Sequence, residues 1–322
     1  MKALIAGVSG QDGAYLARHL LERGYEVVGT SRDAGRAPFA NLVSLGISER
    51  VSCRSLCLTD QEQVRATLAD VRPDEVYDLS GQTSVGRSFT APLETLHSIA
   101  TSTLTLLEAL RECDLRPRFL SAGSAECFGL GAEAEPAREE TPFQPRSPYG
   151  IAKAAAYWLV NSYRESYGLH ASTALLFPHE SPLRPETFVT RKIVAATVRI
   201  ARGDQEALLL GDTTVKRDWG WAPEYVDAMW LMLQQERAAD YVICTGVTRS
   251  LTEFLEEAFS QVGLDWQEHV ERDPALLRPA DIPVVRGDPS RAAKELGWRA
   301  RSHLTDVVGM MIEAERERLS PQ

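Results

Sequence analysis

The stretch GVSGQDG, residues 7–13, constrains the fold of this 322-residue chain more than any other feature. It follows the apolar segment KALIAG and opens a segment whose apolar residues recur at helical spacing. Its glycines suit a tight turn, close approach of the backbone to a diphosphate, and close packing of helix on sheet. They are Gly7, Gly10 and Gly13. The helix N-terminus adds unpaired N–H groups and a partial positive charge. The pattern therefore predicts a nucleotide-binding turn, with a tight turn that binds no ligand as the alternative.

Strand and helix patterns alternate over the first half of the chain, which is typical of a doubly wound parallel sheet. We therefore predict an α/β protein with a Rossmann-type NAD(P)-binding domain over residues 1–176. The rhythm breaks after this point, where residues 178–192 are rich in proline and charge and suggest a binding loop. We expect a smaller, discontinuous substrate domain, mainly residues 177–322, with a return to the first domain around 220–246.

Composition excludes several classes of protein. The formal net charge is −10, which argues against a nucleic-acid partner. No apolar run approaches the roughly 20 residues of a membrane span, and the first apolar run breaks at Gly7, too early for a secretory signal. The five cysteines show no spacing suited to zinc, so we predict no metal site and reduced thiols. These features together predict a cytoplasmic protein.

The end of the second predicted strand, GTSRDAGR, bears on the choice of cofactor. An acidic residue at this point favours the ribose hydroxyls of NAD, whereas arginine accommodates the 2′-phosphate of NADP. Ser31 and Arg32 suit the phosphate, and Arg36 stands nearby, but Asp33 weakens the distinction. We favour NADP and keep NAD open, with a solvated loop charge as the alternative role of Arg32.

Four residues form a candidate catalytic group. Tyr149 and Lys153 lie one helical turn apart, so both face the same side of a predicted helix. A nearby ammonium and a cationic nicotinamide would lower the pKa of the phenol, which could then take a proton from a sugar hydroxyl. Ser124 ends the preceding strand, and Glu126, two residues on, shares its face if the segment is extended. The alternatives are a surface Tyr–Lys pair and an exposed carboxylate.

At this point the sequence resembles the extended short-chain dehydrogenase/reductase superfamily and, within it, the GDP-mannose 4,6-dehydratases. The resemblance covers almost the full length and rests on specific segments, among them GVSGQDGAYLA, RSPYGIAK, FPHESPLR, FVTRK, KRDWG and LRPADIPVVRGDPSRAAKELGW. It implies transient oxidation of GDP-mannose at C4, elimination of water across C5–C6 and return of hydride to C6. The product would be GDP-4-keto-6-deoxy-mannose. The resemblance also implies a homo-oligomer, a dimer or tetramer, paired through helices of the sheet domain.

The resemblance and the motifs together give the candidate site residues. The catalytic candidates are Ser124, Glu126, Tyr149 and Lys153. The cofactor-binding candidates are Gly7, Gly10, Gln11, Asp12, Gly13, Ser31, Arg32, Leu58, Tyr149, Lys153 and His179. The substrate-binding candidates are Ser84, Glu180, Arg184, Arg191, Lys192, Arg217 and Arg278. The arginines suit bidentate contacts with a diphosphate and a guanine.

Departures from the family pattern leave other activities open. Ala125 replaces a serine that would place a hydroxyl near C6, Pro178 replaces an asparagine, and Asp212 replaces another. Cys57 stands where the family has an aspartate at the adenine. A 4-epimerase or 4-keto reductase on the same scaffold would need only Ser124 and the Tyr–Lys pair. A third hypothesis is a cofactor-binding sensor or scaffold without catalysis.

Overall fold

The structure is a computed structural model that describes residues 1–277 and 279–320. Its β-strands are β1 (Lys2–Ala6), β2 (Glu26–Ser31), β3 (Ser52–Ser55), β4 (Glu75–Asp78), β5 (Arg118–Ala122), β6 (Ala171–Leu176), β7 (His179–Glu180), β8 (Leu208–Leu210), β9 (Lys216–Asp218), β10 (Gly220–Trp221), β11 (Tyr241–Ile243), β12 (Thr248–Ser250) and β13 (Val270–Arg272). Its α-helices are α1 (Gln11–Glu22), α2 (Ala40–Ser44), α3 (Gln61–Val71), α4 (Val85–Thr90), α5 (Pro92–Leu96), α6 (Ser102–Glu112), α7 (Pro148–Tyr167), α8 (Val189–Ala201), α9 (Ala222–Gln234), α10 (Leu251–Ser260) and α11 (Leu304–Arg318).

The central sheet has seven strands in the order β11-β6-β5-β4-β1-β2-β3. Every neighbouring pair in it is parallel. The strand order reverses beside β1, and such a switch point leaves a crevice at the carboxyl ends of the strands. The predicted α/β class with a doubly wound parallel sheet is confirmed. The turn after β1 and the ends of β4 and β5 therefore open onto one crevice.

Helices cover both faces of the sheet. The helices α1 and α9 pack on one face through residues such as Leu16 and Met229, which are fully buried. The helices α3, α6 and α7 pack on the other face, with Leu68 and Leu107 at their centre. Ser147 caps the N-terminus of α7 by accepting from the amide of Gly150. This capping fixes the start of the helix that carries two catalytic candidates.

A separate apolar cluster lies in the C-terminal half, where α8, α10 and α11 pack together around Phe254, Phe259 and Met311. The helix α9 and the strand β11 join the sheet instead, as a chain returning to the first domain would. Leu296 and Trp298 also pack in the cluster on the face of the sheet that α1 and α9 cover. The predicted domain division had placed both residues in the substrate domain. The division into two domains remains our interpretation of this packing.

The segment predicted as a binding loop is partly regular. His179–Glu180 forms β7, which pairs in parallel with β10. The helix α8 begins at Val189, four residues before Ile193, so Arg191 and Lys192 lie on a helix and not on a loop. Apolar residues of α8, such as Ile193 and Val194, pack into the C-terminal cluster, and Val189 packs against it. This packing supports the helix from Val189 onward. None of the described helices combines the length and the apolar character that a membrane crossing requires.

Candidate active site

The glycine turn between β1 and α1 has three different glycine environments. Gly7 has a φ of 86°, which favours glycine, and a Cβ there would lie 2.7 Å from the carbonyl oxygen of Leu79. A Cβ on Gly13 would lie 2.4 Å from the carbonyl oxygen of Gly7, so the helix packs directly on the turn. A Cβ on Gly10 would meet only ordinary contact at 3.4 Å. The protein itself leaves space at Gly10, which fits the close approach of a dinucleotide diphosphate.

The first turn of α1 is tied to the start of the substrate segment by hydrogen bonds. The Gln11 amide donates to the Asp12 carboxylate and to the carbonyl of His179, at 3.0 and 3.2 Å. Asp12 lies 3.0 Å from Nε2 of His179, and the Ser181 hydroxyl donates to Gln11 across 2.7 Å. These cofactor-binding candidates thus converge at the helix N-terminus, where partial positive charge suits phosphate.

The ends of β2 and β3 lie next to each other at the side of the crevice. Ser31 ends β2 beside Ser55, and Arg32 follows with an exposed side chain. Asp33 accepts from the amide of Arg36 and lies 3.7 Å from its guanidinium, so the carboxylate has a cationic neighbour. Leu58 is half-buried against the cluster under β3. The Ser31 hydroxyl and the Arg32 guanidinium therefore lie at the side of the crevice.

Ser124, Tyr149 and Lys153 converge at the carboxyl end of β5. The Ser124 hydroxyl lies beside the phenol of Tyr149 and lowers its pKa by hydrogen bonding. The Lys153 ammonium donates to the carbonyl of Ala122 across 2.5 Å and lies 5.9 Å from the centre of the Tyr149 ring. All three side chains are buried. The spacing of tyrosine and lysine on α7 and the strand-end serine thus form one constellation, and their catalytic roles remain a prediction.

The protonation of the pair differs from the sequence-based expectation. Burial raises the pKa of Tyr149, against the lowering effects of the Ser124 hydrogen bond and the charge of Arg184. Burial also lowers the pKa of Lys153, against the negative charge of Asp78. In the protein alone, burial therefore outweighs the lowering that we expected from the ammonium. The phenol stays protonated until a bound cation or substrate adds to the site.

Glu126 reaches the site by a different path from the one predicted. Ala125–Cys127 forms a 3₁₀ turn and not an extended segment, and Ser124 caps it by accepting from the Glu126 amide at 3.2 Å. A Cβ on Gly150 would lie 2.7 Å from the carbonyl oxygen of Glu126, so α7 presses on this turn. The prediction that Ser124 and Glu126 share one face of an extended segment was therefore wrong. The negative charge of Glu126 nevertheless contributes to the raised pKa of Tyr149, and the turn holds the residue next to Ser124.

Ala125 is a buried residue of an apolar cluster. It is only 3% exposed and packs in an apolar cluster with Phe128, Phe177 and Ile282. A hydroxyl at this position would enter that cluster, so the expected loss of a donor near C6 does not follow from this backbone. Cys127 is fully buried, and burial raises the pKa of its thiol to about 12, so it packs as a small apolar residue.

Arg184 and Glu180 lie beside the crevice. The Arg184 guanidinium stacks on Phe188 at 4.1 Å, and its Nε lies 3.1 Å from the Glu180 carboxylate. Its charge acts on both Asp12 and Tyr149, so it faces the cofactor turn and the catalytic group together. This position suits an anionic ligand and keeps both residues as binding candidates.

The other substrate candidates have mixed placements. Lys192 is half-exposed and donates to the carbonyl of Leu209 across 2.7 Å. Arg217 is buried, with the Asp281 carboxylate and the carbonyl of Ile282 at 2.9 and 2.8 Å. Arg278 lies outside the described residues. Ser84 caps α4 by accepting from the Arg87 amide.

Arg191 stands apart from these candidates. It lies on α8 and is 5% exposed, and its guanidinium pairs with Glu315 of α11. This pairing between two helices of the C-terminal cluster favours a structural role over the predicted contact with substrate.

Pro178 and Asp212 have structural roles in the chain. The carbonyl of Pro178 accepts from the amide of Gly220, which joins β7 to β10. Asp212 accepts from both the amide and the hydroxyl of Thr214, and these bonds lower the pKa of its carboxyl. Asp212 also lines a small cavity of about 120 Å³ with Trp266 and Arg272.

Asp78 is a residue of the site that no sequence motif indicated. This residue ends β4, is 4% exposed, and accepts from the hydroxyls of Ser80 and Thr103 at 2.5 and 2.8 Å. Its charge acts on Lys153, so it belongs to the same buried polar group. An aspartate at the end of a wholly buried strand was a signal in the sequence, since such strands end at the crevice.

Comparison with known proteins agrees with this geometry. A sequence model of the family described as GDP-mannose 4,6 dehydratase matches residues 4–311. The chain belongs to this family. It is 42% identical to GDP-mannose 4,6 dehydratase 1 of Arabidopsis thaliana, over 98% of this chain and 90% of that protein. It is 43% identical to GDP-mannose 4,6-dehydratase of Sinorhizobium fredii, over 99% and 96%.

Solved structures share the fold of the family. RMD from Pseudomonas aeruginosa, complexed with NADPH, has a TM-score of 0.81 at 25% identity, covering 99% of each chain. The UDP-glucose 4-epimerase of Thermotoga maritima has a TM-score of 0.88 at 22% identity, covering 99% of this chain and 100% of that one. The likeness to the epimerase concerns the fold alone. No group of three potential metal ligands occurs among residues 1–277 and 279–320.

Proposed function

We propose that this member of the family is a hydro-lyase that converts GDP-mannose to GDP-4-keto-6-deoxy-mannose. The observation that carries the proposal is the position of Glu126 in the 3₁₀ turn that Ser124 caps, next to the Ser124–Tyr149–Lys153 group. Oxidation at C4 needs the Ser124–Tyr149–Lys153 group to remove the hydroxyl proton. Elimination across C5–C6 needs a base next to that group. The identity of the nucleotide sugar is supported by the names of the relatives that share about 40% of their residues with this chain.

A nicotinamide cofactor fits the turn at Gly7, Gly10 and Gly13, with the N-terminus of α1 toward its diphosphate. Arg32 and Ser31 would hold a 2′-phosphate, which favours NADP, since Asp33 has Arg36 as a neighbour. When bound, the cofactor would provide the hydride acceptor for C4 and the hydride donor for C6, so it would be regenerated in each turnover.

The protein's own residues act first at the C4 hydroxyl. Tyr149 takes the hydroxyl proton, and Ser124 donates a hydrogen bond that stabilises the phenolate. The Lys153 ammonium is held at the end of β5 by its hydrogen bond to the carbonyl of Ala122. Because burial raises the pKa of Tyr149, charge from the bound ligands must favour the phenolate before the proton moves.

Glu126 acts next, at C5. Once C4 is a ketone, the C5 proton is acidified, and the carboxylate removes it. The C6–O bond breaks, and the same carboxyl group returns the proton to the leaving hydroxide, which departs as water. The Glu126 carboxyl group serves first as base and then as acid, so the elimination requires no hydroxyl at position 125. Ala125 itself is buried in an apolar cluster.

Recognition of the diphosphate falls to the cationic residues around the substrate segment. Arg184 faces the cofactor turn and Tyr149, and Lys192 lies in the first turn of α8. Arg217 and Arg278 lie in the segments KRDWG and LRPADIPVVRGDPSRAAKELGW, on which the resemblance to the family rests. Guanidinium groups suit the two oxygens of a phosphate or the edge of a guanine.

We also propose a homodimer, or a tetramer built from it. Large apolar side chains are exposed on the outer surfaces of α5 and α7: Leu93 is 72% exposed, Ile151 54% and Trp158 60%. The helices α5 and α7 contact each other, and large apolar side chains exposed on neighbouring helices favour an interface with a second copy. Sedimentation should give a dimer or larger, Trp158→Glu should shift it to monomer, and a wild-type monomer at micromolar concentration would refute the proposal.

We place the protein in the cytoplasm. Its five cysteines are free, including Cys127 and Cys244 in the core, as expected for a reducing compartment. Fractionation of the native host with an antibody to the protein would test this location. Recovery from a membrane or an exported fraction would contradict it.

The decisive experiment is mass spectrometry of a reaction with NADP and GDP-mannose. We expect a product lighter by one water, and a Glu126→Gln variant that binds cofactor but forms none. Glu135→Gln, at an exposed carboxylate nearby, is the matched control and should retain activity. A Glu126→Gln variant with wild-type water loss would eliminate this mechanism. An epimer of unchanged mass would favour the 4-epimerase hypothesis.

A further inference from the structure

His179 uses both ring nitrogens inside the protein. Nδ1 lies 2.7 Å from the carbonyl of Phe177, and Nε2 lies 3.0 Å from the carboxylate of Asp12. Both partners are acceptors, since a carbonyl and an ionised carboxylate carry no proton. Each ring nitrogen must therefore donate, and the ring is an imidazolium. It has no nitrogen left for direct hydrogen bonding to a cofactor.

The surroundings of this cation are defined on every side. Asp12 faces it from α1, Arg184 from the following loop, and Tyr225 of α9 stacks on it with ring centres 4.5 Å apart. Burial opposes the charge on His179, but the Asp12 carboxylate overcomes this and raises the pKa of the imidazole. Burial also opposes the charge on Asp12, yet His179 lowers the pKa of that carboxyl to about 2.

The same pair lies at the start of a chain of contacts that leads to the substrate candidates. Ser181 hydrogen-bonds Gln11, and the Arg184 amide donates to the carbonyl of Ser181. The Arg184 guanidinium then stacks on Phe188, the residue that precedes α8. Lys192 lies in the first turn of that helix, and its amide donates to the carbonyl of Phe188.

We propose that His179 is a positioning residue, and that its ion pair with Asp12 couples cofactor binding at the glycine turn to the order of the substrate loop, residues 181–188. The inference rests on the proposed function for the identity of the ligands. A ligand that contacts the first turn of α1 fixes Asp12, which fixes His179 and the loop attached to it. By linkage, an ordered loop strengthens cofactor binding by the same factor.

Hydrogen exchange of the full-length protein tests the coupling without any sugar substrate. NADPH should slow amide exchange in residues 181–188 of the wild type by at least about fivefold. His179→Asn and Asp12→Asn, measured at saturating NADPH, should show no such slowing. His19→Asn is the matched control, because His19 lies 3.5 Å from Asp227 at the other end of α1. It should behave as the wild type.

A pH series on the wild type tests the same pair without a variant. The folded pKa of His179 is raised above its ordinary value of 6.5. The pair is therefore complete below about 6.5 and is lost as the pH rises through the raised value. The effect of NADPH on loop exchange should fade over that same range. Nitrogen NMR of the ring should show two N–H groups at pH 6.5.

Two results would overturn the proposal. One is loop protection by NADPH that is equal in the wild type and both pair variants. The other is a neutral His179 ring at pH 6.5. If a variant fails to fold or to bind NADPH, the pH series on the wild type decides. If the wild type binds NADH alone, the same measurements use NADH. Absence of water loss from GDP-mannose would refute the proposed function and leave this test intact.

Discussion

The guanidinium of Arg191 donates to the carboxylate of Glu315 across 2.5 Å, and the side chains are 7% and 0% exposed. Arg318 binds the other oxygen of the same carboxylate at 2.6 Å. The pair joins the start of α8 to the end of α11, inside the C-terminal cluster. Arg191 is adjacent to Lys192, yet the two side chains serve different partners.

The first prediction concerns this pair. Glu315→Leu leaves the Arg191 charge buried and unpaired, which should lower the free energy of unfolding by about 3–5 kcal/mol. The double variant Arg191→Met/Glu315→Leu should recover most of the loss, because no charge remains buried. Arg199 lies on the same helix as Arg191 and forms a partly exposed pair with Glu186 of the preceding loop. Arg199→Met should therefore lower the free energy of unfolding by only about 0–1 kcal/mol. Denaturant titration measures all three values.

The same variants separate structure from recognition. Arg191→Met/Glu315→Leu should keep the KM for GDP-mannose close to that of the wild type. Removal of a direct diphosphate contact would raise KM tenfold for each ~1.4 kcal/mol lost. A stable double variant with such a rise would return Arg191 to the substrate site.

The second prediction concerns Ala125. Ala125→Ser restores the residue expected from the family pattern, but the hydroxyl would enter the cluster formed by Phe128, Phe177 and Ile282. It should lower the free energy of unfolding by about 1–3 kcal/mol, the cost of a buried polar group without a partner. The rate of water loss should not rise. A clear gain in kcat would show that the serine reaches the substrate and would contradict its burial in that cluster.

Local sequence patterns were sufficient to predict the fold. Alternating strands and helices, the glycine turn and the YxxxK spacing all depend on neighbours within a few residues. The apolar segment KALIAG forms β1, and the helical pattern that follows the glycine turn forms α1, as predicted. The constellation of Ser124, Tyr149 and Lys153 followed because parallel strands end at a common edge.

The remaining features depend on contacts between distant segments. The 3₁₀ turn at Glu126 depends on packing against Gly150, and the burial of Arg191 depends on Glu315, 124 residues away. Neither contact has a periodic signal. The state of the His179 ring depends on two acceptors, one of which belongs to α1. Buried polar groups of this kind are specified by tertiary packing, which a single sequence does not display.

The third prediction distinguishes the glycines of the turn. Gly10→Ala should fold with nearly unchanged stability, because its Cβ meets only a 3.4 Å contact. It should weaken cofactor binding by about tenfold or more, equivalent to ~1.4 kcal/mol, because the methyl group occupies the space left for the diphosphate. Gly13→Ala should instead lower the melting temperature, since its Cβ would lie 2.4 Å from the backbone of Gly7. Fluorescence titration with NADPH and thermal unfolding measure the two effects.

The fourth prediction concerns Asp218, a fully buried residue that accepts from the amides of Thr245 and Gly246 at 2.9 and 2.7 Å. Burial raises the pKa of its carboxyl to about 6, against these hydrogen bonds, which lower it. The folded state therefore holds this proton more tightly than the unfolded state. The contribution of Asp218 to stability is greatest below about pH 4 and is lost as the pH rises through 6.

Across that range the raised pKa corresponds to about 3 kcal/mol. We expect Asp218→Asn to remove this pH-dependent part of the unfolding free energy between pH 4 and 7, whatever its effect on absolute stability. Denaturant titrations of wild type and variant at several pH values provide the difference curve. A curve that is flat, or that rises with pH, would mean that the amides of Thr245 and Gly246 stabilise the carboxylate more than burial destabilises it.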